Sequence, residues 1–308
     1  MPFQGPRVFP EIDLVYTWVD GDDPEHRAQR EFYAHRPIDL NPERFRDDHQ
    51  LLRYSLRSVE RYMGWVRRIY LLTQRPQVPA WLRTDHPKLK LVHHDQVFEN
   101  PDWLPCFNSE AIETHLHRIP GLAEHFLYFN DDWLLLRNIR PSDFIDRQGR
   151  ILVRGTKVHL RGLRWLLGML IISKGAVAHV PLLYRRDLWM QALDTLGPVL
   201  EETRRSRFRA HTQPTCFLFD TYRRFLYQQP QSMRVMVDPF RTIFWHYQLG
   251  IRPNLFWQYW VQTRAFVLQR PAVLCVNDDQ GLRPNPKVRG LLKYHLERSL
   301  PGKSSFEK

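Results

Sequence analysis

FLYFNDD, Phe126 to Asp132, is the stretch that decides the fold: a short apolar, β-rich run that opens directly into asparagine and two aspartates. A continuous apolar run bounded by turn residues reads as a strand buried on both faces, the kind found in parallel sheets. Ile12 to Val19 (IDLVYTWV) has the same form, and Asp20-Gly21-Asp22-Asp23-Pro24 follows it as a turn-rich polar cluster. Further strands are predicted at Arg68 to Thr73 and Leu89 to His93, with Pro76, Pro79 and Pro87 marking the loops.

Between these strands lie helical patterns. Leu52, Leu56, Val59 and Met63 fall on one face of a helix that Asp47 or Asp48 would cap, and Arg53, Arg57 and Arg61 form a separate stripe. A second helix is expected after Asn108-Ser109, burying Ile112, Leu116 and Ile119 and stopping at Pro120-Gly121, with Glu110, Glu113 and His117 on its other face. Strands separated by helices predict an α/β fold, a mostly parallel Rossmann-like sheet flanked by helices. Ligands of such sheets bind beyond the carboxyl ends of the strands.

The second half reads as a strand at Ala176 to Val180, helices near Leu182 to Leu196 and Phe217 to Tyr227, and an aromatic-rich run from Phe244 to Tyr259. A last strand, Val273 to Val276, and a final helix, Lys287 to Leu300, close the chain. We therefore expect one catalytic α/β domain over residues 1–308, with a helical subregion at about 182–270. No repeat or long linker divides it.

The chain has 308 residues, 43% of them hydrophobic, and a net charge of +12. A chain of this size buries roughly 75% of its unfolded surface, so it needs no metal or disulfide staple to fold. Cys106, Cys216 and Cys275 match neither a zinc spacing nor a disulfide framework, which suits a reducing cytosol. The opening residues do not read as a signal peptide, and the longest apolar stretch, Trp165 to Ser173, is far short of the about 20 residues a spanning helix needs. The basic balance permits polyanionic partners: nucleic acid, an anionic lipid surface or an anionic polymer.

Two strand-to-acid junctions, FNDD at Phe129 to Asp132 and VNDD at Val276 to Asp279, carry the chemistry. Magnesium takes one or two carboxylates plus substrate phosphates, which such junctions could supply, although Asn and Asp also end strands merely as turn residues. His115 and His117 do not share a helix face and are rejected as a metal pair. His93-His94-Asp95 reads as a solvated strand end. His179, at the end of its strand before Pro181, is either a base or a structural histidine. Arg204 to Arg209 (RRSRFR) is either a polyphosphate clamp or a solvated helix face. The chain has no Walker loop, GxGxxG, GxSxG or HExxH, which argues against common NTPases, dehydrogenases, serine hydrolases and zinc proteases.

At these residues the chain resembles the Stealth family. That family comprises hexose-1-phosphate transferases of bacterial capsules and exopolysaccharides, and includes the animal lysosomal-enzyme N-acetylglucosamine-1-phosphotransferase. IDLVYTWVDGDDP (Ile12 to Pro24) resembles the first family block. Arg46 to Leu136, with LRYSLRSVE, FNSEAIETHLHRIPGL and FLYFNDD, resembles the second. AHVPLLYRRDL (Ala178 to Leu188) and CVNDDQ (Cys275 to Gln280) resemble the third and fourth, and the ending KSSFE (Lys303 to Glu307) is also similar.

The resemblance implies a glycosyltransferase-A-like form of the sheet and transfer of a sugar-1-phosphate from a UDP-sugar to a hydroxyl of a saccharide acceptor, releasing UMP, with Mg2+ or Mn2+ as cofactor. It assigns Asp132, His179, Glu113 and Arg209 to catalysis, Asp132 and Asp278 to the metal, and Asp13, Asp20, Arg53 and Arg57 to the nucleotide and phosphates. His179 or Glu113 would serve as base. The lack of large inserted domains points to the bacterial polysaccharide branch. Two rival readings are a metal-dependent glycosyltransferase releasing UDP, and a non-catalytic module binding a polyanion through Phe244, Trp245, Trp257, Tyr259 and Trp260. No nucleic-acid partner is expected. UDP-sugars are cytosolic, so the expected location is the cytoplasm, with peripheral contact at the inner face of the cytoplasmic membrane through the +12 charge.

Overall fold

β1 (Ile12–Thr17) is buried along its length except at Thr17, as a strand covered on both faces must be. The computed structural model describes residues 9–35, 49–154, 181–209, 218–236, 245–278, 280 and 284–308. After β1 come α1 (Pro24–Tyr33), α2 (Leu51–Tyr62), β2 (Ile69–Thr73), β3 (Leu89–His93), α3 (Ser109–Glu113), β4 (His125–Asn130), β5 (Trp133–Leu135) and β6 (Ile151–Arg154). The chain continues through β7 (Leu183–Arg185), α4 (Arg186–Asp194), α5 (Pro198–Arg205), α6 (Leu218–Tyr227), β8 (Met233–Met236), β9 (His246–Ile251), α7 (Leu255–Thr263), β10 (Val273–Asp278) and α8 (Pro286–Ser299).

The main sheet runs β3-β2-β1-β4-β7. Its first four strands are parallel, and β7 pairs antiparallel with β4. Thr17 lies opposite Asn130, so the carboxyl ends of β1 and β4 form one edge. A second sheet, β5-β10-β9, pairs β10 antiparallel with β5 and parallel with β9. β6 and β8 form a separate parallel pair.

Helix α2 buries Leu52, Leu56 and Val59 as its spacing predicts, but Ser55 and Ser58 lie on the same buried face. They are there to hold β5. Ser55 Oγ donates to the Trp133 carbonyl and lies 2.7 Å from Tyr16 Oη, while Leu135 N donates to Ser58 Oγ at 2.9 Å. The predicted capping residues Asp47 and Asp48 lie outside the described residues; the position before the helix is Gln50, in the left-handed region at φ 49°.

Three expectations need correcting. The helix after Asn108 stops at Glu113 and continues only as a 3-10 turn at Leu116–Arg118. Its next turn fails because Thr114 Oγ1 (2.6 Å) and His115 Nδ1 (2.8 Å) both bond to the Ala111 carbonyl, and His115 N bonds instead to Ile112 O. His93 and His94 are buried, not solvated; burial lowers the His94 pKa to about 3 and keeps the ring neutral. The 182–270 region is not simply helical, since β8 and β9 lie within it and β9 supports β10. The strand predicted at 176–180, and His179 with it, lies outside the described residues.

Candidate active site

The two acidic junctions meet. Asp131 and Asp132 form the whole connection between β4 and β5. On the β5–β10 ladder Cys275 faces Trp133, and the pairing runs one step further as Val276 N donates to Asp132 O at 2.9 Å. Because that ladder is antiparallel, the Asp278 end of β10 arrives beside the Asp131-Asp132 turn. Two junctions more than 140 positions apart in sequence thus share one edge of the fold.

The carboxylates there are strained electrostatically. Burial pushes Asp131 and Asp132 up to about 7, and the neighbouring Asp132 charge raises Asp131 further. Cys275 Sγ donates to Asp132 Oδ2 at 3.4 Å, yet Asp132 Oδ1 is buried without a protein partner. An orphaned buried carboxylate oxygen is costly unless something outside the chain completes it. Burial works to raise Asp278 as well, but His49 and Gln280 outweigh it and hold that carboxyl below its ordinary value. His49 Nε2 lies 3.2 Å from Asp278 Oδ2, and Gln280 donates to Oδ1 from N and Nε2, each at 3.1 Å.

This donor set fits a hard divalent cation. It is all oxygen, it carries excess negative charge, and one oxygen is unmatched. Among the described residues no three or more His, Cys, Asp or Glu side chains already converge as a metal cage. Such a site suits an ion that draws its remaining ligands from substrate phosphates and water.

A second polar group stands on the same side of the main sheet. Glu113 ends α3 and accepts from Tyr128 Oη at 3.3 Å, which in turn lies 2.9 Å from Thr17 Oγ1. Burial, then the Glu110 charge, pushes the Glu113 carboxyl up to about 8. Arg209 Nη2 reaches Glu110 Oε1 at 2.7 Å. It is delivered there by a short docking strip: Asn108 Nδ2 donates to Ser206 O (3.1 Å) and Phe107 N to Arg207 O (2.9 Å). Tyr128 lies three residues before Asp131, so its hydrogen bond places Glu113 toward the carboxyl end of β4.

Of the other arginines of the RRSRFR run, Arg205 is solvated and pairs with Glu201 along its helix, while Arg204 and Arg207 are neither solvated nor a clamp. Arg204 Nη1 pairs with Glu99 Oε1 at 2.7 Å, and Arg207 Nη2 donates to Asp102 O at 2.6 Å and Leu104 O at 3.1 Å. They fasten the loop that precedes α3.

Three residues expected near the nucleotide are engaged by other side chains. Asp13 sits at the amino end of β1, opposite Phe126. Arg67 grips it through Nε (2.8 Å) and Nη2 (2.6 Å), and the backbone amides of Arg68 (3.1 Å) and Ala123 (2.7 Å) complete it. It is a structural anchor at the far end of the sheet. Arg53 and Arg57 are also engaged, by Glu307: Arg53 Nε donates to Oε2, and Arg57 donates through Nε (2.7 Å) and Nη2 (2.8 Å). They clasp the KSSFE segment, which is further docked by Arg83 N to Phe306 O (2.8 Å) and Lys308 N to Trp81 O (3.0 Å). Asp20 does lie beyond the carboxyl end of β1, its backbone bonded to the Gln77 side chain at 3.0 and 2.9 Å and its Oδ1 accepting from Asp22 N. His49 joins the site without any signal in the sequence, whereas Tyr128 and Cys275 lie inside the FLYFNDD and CVNDDQ stretches without having been singled out.

Two family models and several known proteins match this chain. Residues 10–36 match the family model described as Stealth protein CR1, conserved region 1, and residues 44–153 that of Stealth protein CR2, conserved region 2. An exopolysaccharide phosphotransferase of Streptomyces coelicolor is 53% identical over 145 residues, 46% of this chain and 23% of that protein. Another from the same organism is 39% identical over 225 residues, 65% of this chain and 37% of that one. This chain thus aligns with about a quarter to two fifths of the length of these relatives. Among solved structures, mouse xyloside xylosyltransferase 1 in its apo form is similar with a TM-score of 0.40 and 12% identity, over 86% of this chain and 97% of that one.

Proposed function

Since the chain is a Stealth protein across conserved regions 1 and 2, we propose that it transfers a sugar-1-phosphate from a UDP-sugar to a hydroxyl of a saccharide acceptor in capsule or exopolysaccharide synthesis. The acceptor oxygen forms a bond to the β-phosphorus, the bond from that phosphorus to UMP breaks, and the anomeric carbon keeps both its substituents and its configuration. The observation that supports this reading most is that the ladder register brings the Asp278 end of β10 beside the Asp131-Asp132 turn, where Asp132 Oδ1 is buried without a protein partner.

Asp132 and Asp278 would hold a magnesium or manganese ion, with Asp131 beside them. When bound, the ion neutralises phosphate charge, the largest demand in phosphoryl transfer. Glu113 is the base: once ionised, its carboxylate accepts the proton of the attacking hydroxyl, and Tyr128 Oη keeps it oriented. Arg209 presents a guanidinium to the transferring phosphoryl group while Glu110 fixes its position. His179 keeps its alternative assignment as base from the family resemblance, and Asp20 faces the nucleotide from the loop after β1. The donor is cytosolic, so the protein works at the cytoplasmic face of the membrane.

Phosphorus NMR of the protein with magnesium, a panel of UDP-sugars and oligosaccharide acceptors tests the reading. UMP together with a new phosphodiester resonance, both lost in Asp132→Asn, is the expected result. UDP as the released nucleotide would instead establish glycosyl transfer.

A further inference from the structure

Helix α7 is built inside out. Gln258 and Gln262 are completely buried; Gln258 Nε2 donates to Gly250 O at 2.9 Å and Gln262 Nε2 to Gln258 Oε1 at 2.8 Å. The opposite face carries Phe256, 89% exposed, and Tyr259, 64% exposed, with Leu255, Trp257 and Trp260 alongside. A π-helical segment, Arg264–Gln269, extends the helix and turns Val267 and Leu268, the latter 76% exposed, outward as well. Contiguous exposed apolar surface of this kind marks an interaction site rather than ordinary surface variation.

We propose that this face docks the protein on an anionic lipid surface, lying in the interface without crossing it. Two features of the patch select lipid as the occupant. Its composition mixes indole and phenol rings with aliphatic Leu255, Val267 and Leu268; rings alone would suffice to stack on a sugar, whereas the mixture suits the headgroup and acyl boundary. Its charge is one-sided: between Asp238 and Asp278 the sequence has no acidic residue, while Arg252, Arg264 and Arg270 punctuate it. The Arg264 guanidinium lies 5.5 Å from the Trp260 ring centre, at the rim of the patch where phosphate headgroups would meet it. The only acid on the packed helix α8, Glu297, is paired with Lys293 at 3.9 Å. Among the described residues no helix is long and apolar enough to span a membrane, so the contact is a surface one.

The patch also lies close to the acidic junction. Ile251 is in register with Asp278 and α7 begins four residues later, tied by Asn285 Nδ2 to Pro253 O at 2.8 Å. Docking through α7 therefore sets the candidate site at the membrane surface. The inference does not depend on the transferase reading, because vesicle binding is measured without substrate.

The test is flotation of the full chain with vesicles of phosphatidylcholine alone or containing phosphatidylglycerol, read alongside tryptophan emission. We expect binding at least tenfold stronger to the phosphatidylglycerol vesicles, with a blue shift. Phe256→Ser combined with Leu268→Ser, two side chains projecting into solvent, should weaken it at least tenfold with an unchanged unfolding midpoint. Arg252→Glu should erase the preference for anionic lipid while leaving the fold intact. Flotation unchanged in the double variant would overturn the proposal by showing charge alone at work. Absence of flotation would overturn it too, whether the double variant then proves to lose self-association in sedimentation equilibrium, identifying a second copy as the occupant, or acceptor binding, identifying a saccharide.

Discussion

Replacing Glu307 with glutamine should destabilise the protein by about 2–3 kcal/mol at pH 7, and by much less in acid. The Glu307 side chain is 1% exposed and is held by Arg53, Arg57 and the Ser304 N (2.8 Å) and Oγ (3.1 Å) donors. Burial alone would raise its pKa; the hydrogen bonds from Arg57, Ser304 and Arg53 overcome that and bring it from 4.5 down to about 2. Each unit corresponds to about 1.4 kcal/mol, which sets a ceiling of about 3.5 kcal/mol, reduced because Arg53 is a quarter exposed and partly screened. A carboxyl whose pKa falls on folding stabilises the native state above its unfolded pKa and loses that contribution as pH drops through the folded one. Urea unfolding of wild type and Glu307→Gln at intervals from pH 7 to pH 3 isolates this group, because all other titrations cancel in the difference. That difference should shrink to roughly half or less by pH 3. A difference that stays flat with pH, or is absent at pH 7, would refute the reasoning.

Asp13→Ala should cost about 3–5 kcal/mol, since it strands the Arg67 guanidinium and two amides, yet leave the KM for the donor unchanged; a raised donor KM at intact stability would return Asp13 to the nucleotide site. Glu113→Gln should lower kcat by about 10²–10⁴-fold, and it should remove a rising limb near pH 8 from the kcat profile, because the native carboxyl acts only when ionised; a retained limb would assign the base elsewhere. Ser55→Ala leaves Tyr16 Oη and the Trp133 carbonyl short of a partner, so a loss of about 1–3 kcal/mol is expected by thermal unfolding, with a fall in kcat as the acidic turn loosens.

Much of the main sheet was legible because its strands are apolar runs ended by polar turns. Leu89 to His93 is a strand over the predicted residues, and the Leu52, Leu56, Val59 face packs as its period requires. The acidic junctions were legible for the same reason. What escaped was anything set by long-range pairing. Asp13 and Asp20 sit in one motif, but only the sheet register shows that one lies at the amino end of β1 and the other beyond its carboxyl end. The arginine stripe of α2 suggested phosphate, and its partner is a carboxylate 250 positions away. Helix α7 escaped as well: its residues stood only in an aromatic-rich run, and packing decides that the face buried is the one carrying Gln258 and Gln262. His49 offers no pattern at all; it meets Asp278 only because α2 packs across the second sheet.

The Asp131-Asp132 turn has a mechanical consequence. β4 belongs to the five-stranded sheet and β5 to the three-stranded one, and the chain passes from one to the other through just these two residues. So short a tether has no slack. Rocking of one sheet against the other would rotate or displace this turn and its two carboxylates, like play in a hinge concentrated at its pin. The site is therefore a strain gauge for the relative position of the two layers: a ligand that fixes the carboxylates stiffens the whole seam, and a load applied to β9, β10 or α7 is felt where the phosphate would be held.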